Sequence, residues 1–456
     1  MDKVRHVTIQ DMLAARDERA ARQNALRERY HAPVVSFTMN IPGSIKNNSL
    51  IRRAFSIGKE RIIVAFEKMH AEIHDVYEKD AFTGCEAMWT VRADAVTLKI
   101  TLCLIEEMDE LGRLFDMDVI DSQGNHLSRN EERGCLICHQ PARVCARSRK
   151  HCAEELFAKT QEIIIAHLQK QFIRKNGELV QRALLYEAIT TPKPGLVDCA
   201  SNGAHHDMNL FHFMESAAML REYFEKCTLL GMKRAGYEAL QLCGMEAEKN
   251  MLSQLGVNTH KGAVFALGIL SYARGVCGED ASVESVLSAA AVCGRYFLQQ
   301  MEKKNALETG GELQYAKYGI TGARGEAASG FETVKKVSLP VFLNALRGGK
   351  TLNDAGLCAM IALMAHVQDS NVIRRGGMEA QKWMQSVSAS LASTSWNHDT
   401  LKEIDQQFIE KNISPGGCAD LLAVTYYLYF IGEDKMLYQQ RGEKNGKSSS
   451  FQFLSE

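Results

Sequence analysis

Arg113-Leu-Phe-Asp-Met-Asp-Val-Ile120, closed by the turn Asp121-Ser-Gln-Gly-Asn125, is the stretch on which the fold turns. Apolar and acidic residues alternate in it. An extended backbone therefore sends Phe115 and Met117 to one side of a sheet and Asp116 and Asp118 to the other. The spacing predicts a strand over residues 113–120 and a sheet in the first third of the chain.

Upstream, Val34-Val-Ser-Phe-Thr-Met-Asn40 is β-branched and aromatic and runs into Ile41-Pro-Gly43, a second strand leading into a turn. Residues 87–105 read as one or two more strands. Residues 9–30 are charged and helix-favouring, and residues 50–77 space their apolar side chains at helical intervals. This mixture predicts an α+β domain. Residues 152–174 read as a helix crossing into a second half where period two disappears. There, residues 178–189, 209–230, 236–255, 263–274, 283–304, 332–346, 352–367, 377–392, 400–411 and 419–432 read as helices, joined at breakers such as Pro192-Lys-Pro-Gly195, Gly348-Gly349 and Pro415-Gly-Gly417. The expected fold is multidomain: α+β over residues 1–158, all-α over 176–438, and a polar, disordered tail over 439–456.

Composition agrees with this division. At 456 residues the chain exceeds what a single core usually serves. Its 46% hydrophobic and 24% charged residues exclude disordered and collagen-like classes. With 54 basic against 55 acidic residues, no overall field recruits nucleic acid or an anionic membrane. The 13 cysteines are odd in number and scattered, and no apolar signal segment opens the chain, so a reducing cytoplasmic setting is expected. The longest apolar run, residues 421–431, is half of the roughly 20 residues a bilayer span needs, so no membrane partner is expected.

Two groups in the first half carry chemistry. Asp116 and Asp118, on one strand face, suit a Mg²⁺ ion that bridges phosphates; a solvated strand face is the plain alternative. Cys135, Cys138, Cys145 and His151 form Cys-x2-Cys-x6-Cys-x5-His, whose thiolate pair and two further ligands would close a zinc tetrahedron; reduced cysteines in a small loop are the alternative. Arg143, Arg147, Arg149 and Lys150 are interleaved with this motif. With Lys46 and Arg52-Arg53, they supply the cations of a phosphate-rich cleft.

In the second half, polar segments interrupt the helices at their ends: Thr191 to Asp198, Gly203-Ala-His-His-Asp207, Asn258-Thr-His-Lys261, Thr321-Gly-Ala-Arg-Gly-Glu326, Asp369-Ser-Asn371, and Ser414-Pro-Gly-Gly417 with Asp420. Several helix N-termini meeting in one place would bind phosphate, while each segment alone reads equally as ordinary capping. Glu187, His205, Asp207, Asp369 and Asp420 suit metal ligation or acid–base work. His206 and His260 read as satisfied surface or core histidines. Gly348-Gly-Lys-Thr351 imitates the end of a P-loop but lacks its first glycine, since Asn344 stands there.

Taken in order, these segments resemble two known families. The first half is similar to holo-citrate lyase synthases through Ala15-Arg-Asp-Glu-Arg19, Val35-Ser-Phe-Thr38, Gly112 to Asp118, and Cys135 to His151. The second half resembles triphosphoribosyl-dephospho-CoA synthases through Thr191 to Asp198, Gly203 to Met208, Gly256 to Gly262, Thr321 to Glu326 and Ser414 to Leu422. Ile373-Arg374 departs from the resemblance, which leads to smaller residues there.

The resemblance implies a nucleotidyltransferase-like first domain and two consecutive reactions. ATP and 3'-dephospho-CoA would be joined with release of adenine. The product would then pass to a serine of the citrate lyase acyl carrier (gamma) subunit, with release of pyrophosphate. It implies Asp116 and Asp118 at the transfer step with Lys46, Arg53, Arg113, Arg143 and Arg147 around the substrate. For the helical half it implies Glu187, Asp207 or Asp420 in catalysis. Lys193, His205, Lys261, Arg324, Glu326, Asp369 and Asn371 would then lie against substrate and phosphate. A nucleic-acid-binding zinc knuckle fused to a nucleotide-sensing helical domain is the competing reading; the near-zero charge and the lack of aromatics around residues 143–150 count against it.

Overall fold

The computed structural model describes residues 5–129, 132–302 and 310–446. The chain divides into two compact units, Met1–Gln171 and Phe172–Glu456.

The first unit holds a five-stranded antiparallel sheet of β1 (Val34–Met39), β2 (Glu72–Ala81), β3 (Gly84–Arg92), β4 (Phe115–Ile120) and β5 (His126–Leu127), in the order β2-β3-β1-β4-β5. Its helices are α1 (Ile9–Tyr30), α2 (Ser49–Lys68), α3 (Ala95–Glu107), α4 (Ala142–Ser148) and the first part of α5 (Ala153–Ile189). Val35, Phe37, Trp89, Phe115, Met117 and Val119 fill one sheet face and pack with Ile51, Phe55, Ile62 and Phe66 of α2 and Leu98, Leu102 and Ile105 of α3. The Phe37 ring stacks on Phe55 at 4.6 Å between centroids. Gly58 is what lets α2 come this close, since a Cβ there would lie 2.4 Å from the Phe37 ring.

The opposite face is set by register. Thr38 of β1 pairs with Asp116 on one side and Glu86 on the other, and Ser36 pairs with Asp118 and Met88. These side chains share a face that α1 approaches, with Leu26 packing on Val34 and Met88.

Two elements differ from the sequence reading. Residues 95–107 are a helix, although Val96, Leu98, Ile100, Leu102 and Leu104 alternate as in a strand. Asp94 caps it, accepting from Thr97 N at 2.8 Å. Of its large apolar residues, Leu98, Leu102 and Ile105 are buried, at helical spacing, while Val96, Ile100 and Leu104 stay exposed. The helix expected over 50–77 stops at Lys68, where His70 turns left-handed (φ 50°) and β2 begins. β2 is a charged edge strand, and its solvated residues mimic an exposed helix face.

The second unit is helical among the described residues. After α5 come Leu210–Met232, Tyr237–Leu255, Lys261–Cys277, Val283–Glu302, Gly310–Tyr318, Gly322–Ser329, Leu339–Arg347, Leu352–His366, Ser370–Ser393, His398–Glu410 and Gly416–Gly446. Lys261–Cys277, Leu352–His366 and the apolar run 421–431 lie inside the core. No single helix among the described residues is long and apolar enough to cross a membrane. Residues 369–376 were read as a loop but form a helical turn that breaks at Gly377 (φ 73°). The final helix runs to Gly446, through residues read as the start of a disordered tail; 447–456 lie outside the described residues. α5 runs unbroken through the segment read as the domain boundary, and its Ile163 and Ile164 belong to the first core.

Candidate functional sites

In the second unit the interrupted segments converge. Glu187, His205, Asp207, Lys261, Arg324, Glu326, Asp369, Asn371 and Asp420 all line one cavity of about 1180 Å³. The helices Lys261–Cys277, Gly322–Ser329, Ser370–Ser393 and Gly416–Gly446 all begin on its wall. Their positive dipole ends therefore face the same space.

Buried carboxylates organise this cavity. Asp369 joins two helix starts: its Oδ1 accepts from Asn371 N (2.8 Å) and Val372 N (3.3 Å), and its Oδ2 from Cys418 N (2.9 Å). Burial holds its carboxyl above the usual range. Asp420 is pushed well above that range by burial, and then by the charges of Glu187 and Asp369. It stands against the first turn of Lys261–Cys277, where Gly262 leaves room for it: a Cβ on Gly262 would fall 1.8 Å from Asp420 Oδ2. Glu187 is raised by burial, against the pull of Lys193. Lys193 does not line the cavity; its Nζ is buried and donates to Glu187 Oε1 and to the Glu187 carbonyl, both at 2.5 Å. Glu326 is also raised by burial, and its Oε2 is buried without a hydrogen-bond partner.

His205 bonds Ser414 Oγ through Nε2 at 2.7 Å and faces Asp207 and Arg375 through Nδ1. Burial and then the Arg375 charge hold its pKa below the ordinary histidine value. Both effects favour the neutral imidazole over a phosphate-binding cation.

Sequence reasoning missed three groups. Glu248 lines the cavity and pairs with Lys261 at 3.8 Å. Arg374 and Arg375 line it from the helical turn after Asp369. His260 was read as satisfied, yet its Nε2 is buried without a partner while Nδ1 contacts Ser216 Oγ at 2.7 Å. Burial pushes its pKa down to about 3, with the Lys193 charge adding to the effect. Its place beside Lys261 in Asn258-Thr-His-Lys261 was the available signal.

In the first unit, Asp116 and Asp118 point from the exposed face of β4, as their spacing required. Surrounding protein and then the Asp118 charge raise the Asp116 carboxyl, against Arg133, Lys99 and Arg19. Lys99 reaches Asp118 at 3.9 Å, and Arg19 of α1 pairs with Glu86 on the same face at 2.7 Å. Arg19, Glu86, Lys99 and Arg133 were not singled out as site residues.

The expected substrate cations are dispersed. Lys46 Nζ donates to the Ile41 carbonyl at 2.5 Å, and Arg53 is exposed on α2. Arg113 donates to the carbonyls of Gly134 (2.9 Å) and Cys135 (3.2 Å). Arg143 and Arg147 are exposed on α4, Arg143 pairing with Glu132 at 3.5 Å. Cys135, Cys138, Cys145 and His151 do meet, with ligand atoms all within 4.8 Å of one another.

Two carboxylate sites in separate units are the arrangement of a bifunctional enzyme, and comparison with known proteins gives the class. Residues 7–167 match the family of apo-citrate lyase phosphoribosyl-dephospho-CoA transferases (CitX). Residues 173–437 match that of ATP:dephospho-CoA triphosphoribosyl transferases (CitG). The chain is 35% identical to Protein CitXG of Haemophilus influenzae over 93% of its length and 97% of that protein's. It is 32% identical to Protein CitXG of Leuconostoc mesenteroides over 87% and 91%. A crystal structure of a putative triphosphoribosyl-dephospho-CoA synthase from Archaeoglobus fulgidus covers 49% of this chain and 98% of its own, at 18% identity and a TM-score of 0.34. The chain belongs to the CitXG family of bifunctional transferases.

Proposed function

We propose that the cavity of the second unit joins ATP to 3'-dephospho-CoA, the 2'-hydroxyl attacking ribose C1 of ATP and displacing adenine while the triphosphate stays intact. The observation that carries this reading is the meeting of four helix N-termini with buried carboxylates in one cavity. The helix starts, Lys261 and Arg324 bind the triphosphate. Asp420 takes the hydroxyl proton: it stands on the cavity wall against the first turn of Lys261–Cys277, and burial with the charges of Glu187 and Asp369 makes its anion a stronger base than an ordinary carboxylate. Glu187, paired with Lys193, keeps that proton affinity high by repulsion. Asp369 positions the two helix starts. His260 Nδ1 pairs with Ser216 Oγ at 2.7 Å, which leaves Nε2 as the ring nitrogen without a partner. That free nitrogen suits a polar edge atom of the departing adenine.

A Mg²⁺ ion would neutralise triphosphate charge here. The unpartnered Glu326 Oε2 and Glu248, which lines the same cavity, are hard oxygen donors that fit it.

In the first unit, which we read as nucleotidyltransferase-like, the same intermediate meets the acyl carrier (gamma) subunit of citrate lyase. The carrier serine attacks the α-phosphate and pyrophosphate leaves. Asp116 and Asp118, two carboxylates that repel each other on an open face, fit a second Mg²⁺. Arg133 and Lys99 hold the surrounding charge, and a cytoplasmic setting belongs to this reading. Incubation with ATP and 3'-dephospho-CoA, analysed by mass spectrometry, should show adenine and the triphosphoribosyl adduct; added apo-carrier should gain the phosphoribosyl-dephospho-CoA mass. Adenine without the adduct, or no adenine, would refute the first step.

A further inference from the structure

We infer that Cys135, Cys138, Cys145 and His151 hold one structural zinc ion, and that this ion fixes Arg133 against the strand carrying Asp116.

The four side chains come from a loop and a short helix that have little core of their own. Gly134 bridges Pro141, and Cys135 N donates to the Gln140 carbonyl at 2.6 Å, which closes a tight hairpin around Cys138. His139 in its turn is left-handed, φ 58°. Cys145 is buried on the seven-residue α4, which ends at left-handed Arg149 and hands His151 back to the same point. Such a fold buries too little apolar surface to hold itself.

The ligand geometry is that of a tetrahedral site. With Zn–S near 2.3 Å, two sulfurs on one tetrahedral zinc stand roughly 3.8 Å apart. Cys138 Sγ and Cys145 Sγ are 3.9 Å apart, and all four ligand atoms lie within 4.8 Å of one another. His151 Nε2 is buried with no hydrogen-bond partner, as expected of an atom whose partner is a metal. Ile137 N points at Cys135 Sγ at 3.5 Å, a contact that favours thiolate over thiol. Three thiolates and a neutral imidazole leave a zinc centre with one net negative charge. Arg143, Arg147, Arg149 and Lys150 surround it in sequence, so the basic run compensates the metal centre.

The loop is also stapled to the transfer site. Arg113, at the start of β4, donates to the Gly134 and Cys135 carbonyls. Arg133, two residues before the first ligand, donates to the Phe115 carbonyl at 2.7 Å and pairs with Glu106 at 2.6 Å. Its charge reaches Asp116. Fixing Cys135 therefore fixes Arg133 beside the carboxylate pair. This second half of the inference rests on reading Asp116 and Asp118 as the transfer site.

The test uses the full chain purified without chelator. Metal analysis should find about one zinc per chain. Replacement by Co²⁺ should give thiolate charge-transfer and tetrahedral d–d absorption. Cys138→Ser and His151→Asn should lose most of the zinc and slow carrier modification roughly tenfold or more, while adenine formation by the second unit stays unchanged. No zinc and no cobalt–thiolate bands in the wild-type chain would overturn the inference, as would a Cys138–Cys145 disulfide found by mass in protein kept under reductant. Unchanged carrier modification in zinc-free variants would overturn the link to Arg133. Because metal content is read without activity, zinc present in a wild-type protein unable to modify carrier would refute the transferase reading and leave the metal site standing.

Discussion

Gly262 lies directly against the Asp420 carboxylate, a Cβ on Gly262 falling 1.8 Å from Asp420 Oδ2. The contact offers a way to move the proposed base without removing it. Alanine at a helix start costs the backbone nothing, and relative to glycine it favours the helix. Gly262→Ala should therefore leave the melting temperature near wild type, since the group that must shift is the end of one side chain. A displacement of about 1 Å at a reacting group costs on the order of a hundredfold in rate. Adenine formation should fall by that much, while carrier modification from preformed intermediate continues. Wild-type adenine formation would place the base elsewhere.

Glu187 and Lys193 give a pH signature. Asp420 must be ionised to take a proton, and its pKa is raised, so adenine formation should rise with pH through a limb above the ordinary carboxylate range. Glu187 is one cause of that elevation. Glu187→Gln removes the repelling charge and leaves Lys193 positive, so the limb should move to lower pH. An unpaired buried lysine costs about 3–5 kcal/mol, so the single variant should also melt earlier. Glu187→Gln with Lys193→Met restores charge balance and stability, and its limb should also lie below wild type. A limb that stays in place in both variants would separate Asp420 from the observed ionisation.

Much of the site was legible because helix ends announce themselves chemically. Asp369, Asn371, Thr321 to Glu326, and Ser414 to Gly417 are capping and turn residues, and the structure gathers them on one wall. Which of them face each other depends on packing between helices distant in sequence, which no local pattern encodes. His260 shows the limit: the chain alone does not reveal that Nδ1 finds Ser216, more than forty positions upstream, and that Nε2 finds nothing. Lys193 shows the converse, a cation expected on phosphate that is consumed by Glu187. In the first unit the period-two reading held for β4, whose two faces differ, and failed at α3. There the apolar residues satisfy both periods, and the Asp94 cap and sheet-side burial decide.

The two units should work apart. The second core draws on residues from Phe172 onward, including Val180, Ala183 and Leu184 of α5. A fragment beginning at Phe172 should fold cooperatively and form adenine from ATP and 3'-dephospho-CoA at a rate within a few-fold of the full chain. An inactive but folded fragment would show that the first unit contributes to this step.

Asp116 and Asp118 make the sharpest separation between the two activities. They leave one face of β4, opposite Thr38 and Ser36, and the Asp118 charge is one reason the Asp116 carboxyl is raised. Asp116→Asn keeps the size and hydrogen-bonding capacity of the side chain while removing that charge. Because the residue is exposed and its raised pKa marks an anion unfavourably placed in the free protein, the variant should be as stable as wild type or slightly more so. Carrier modification should nevertheless fall by roughly a thousandfold, the several kcal/mol expected when a metal-binding carboxylate is lost from a phosphoryl-type transfer. Adenine formation, carried by the other unit, should not change. Both products are to be measured on the same preparation. Carrier modification within a few-fold of wild type would remove these residues from the transfer step. A parallel fall in both activities would contradict the assignment of one reaction to each unit.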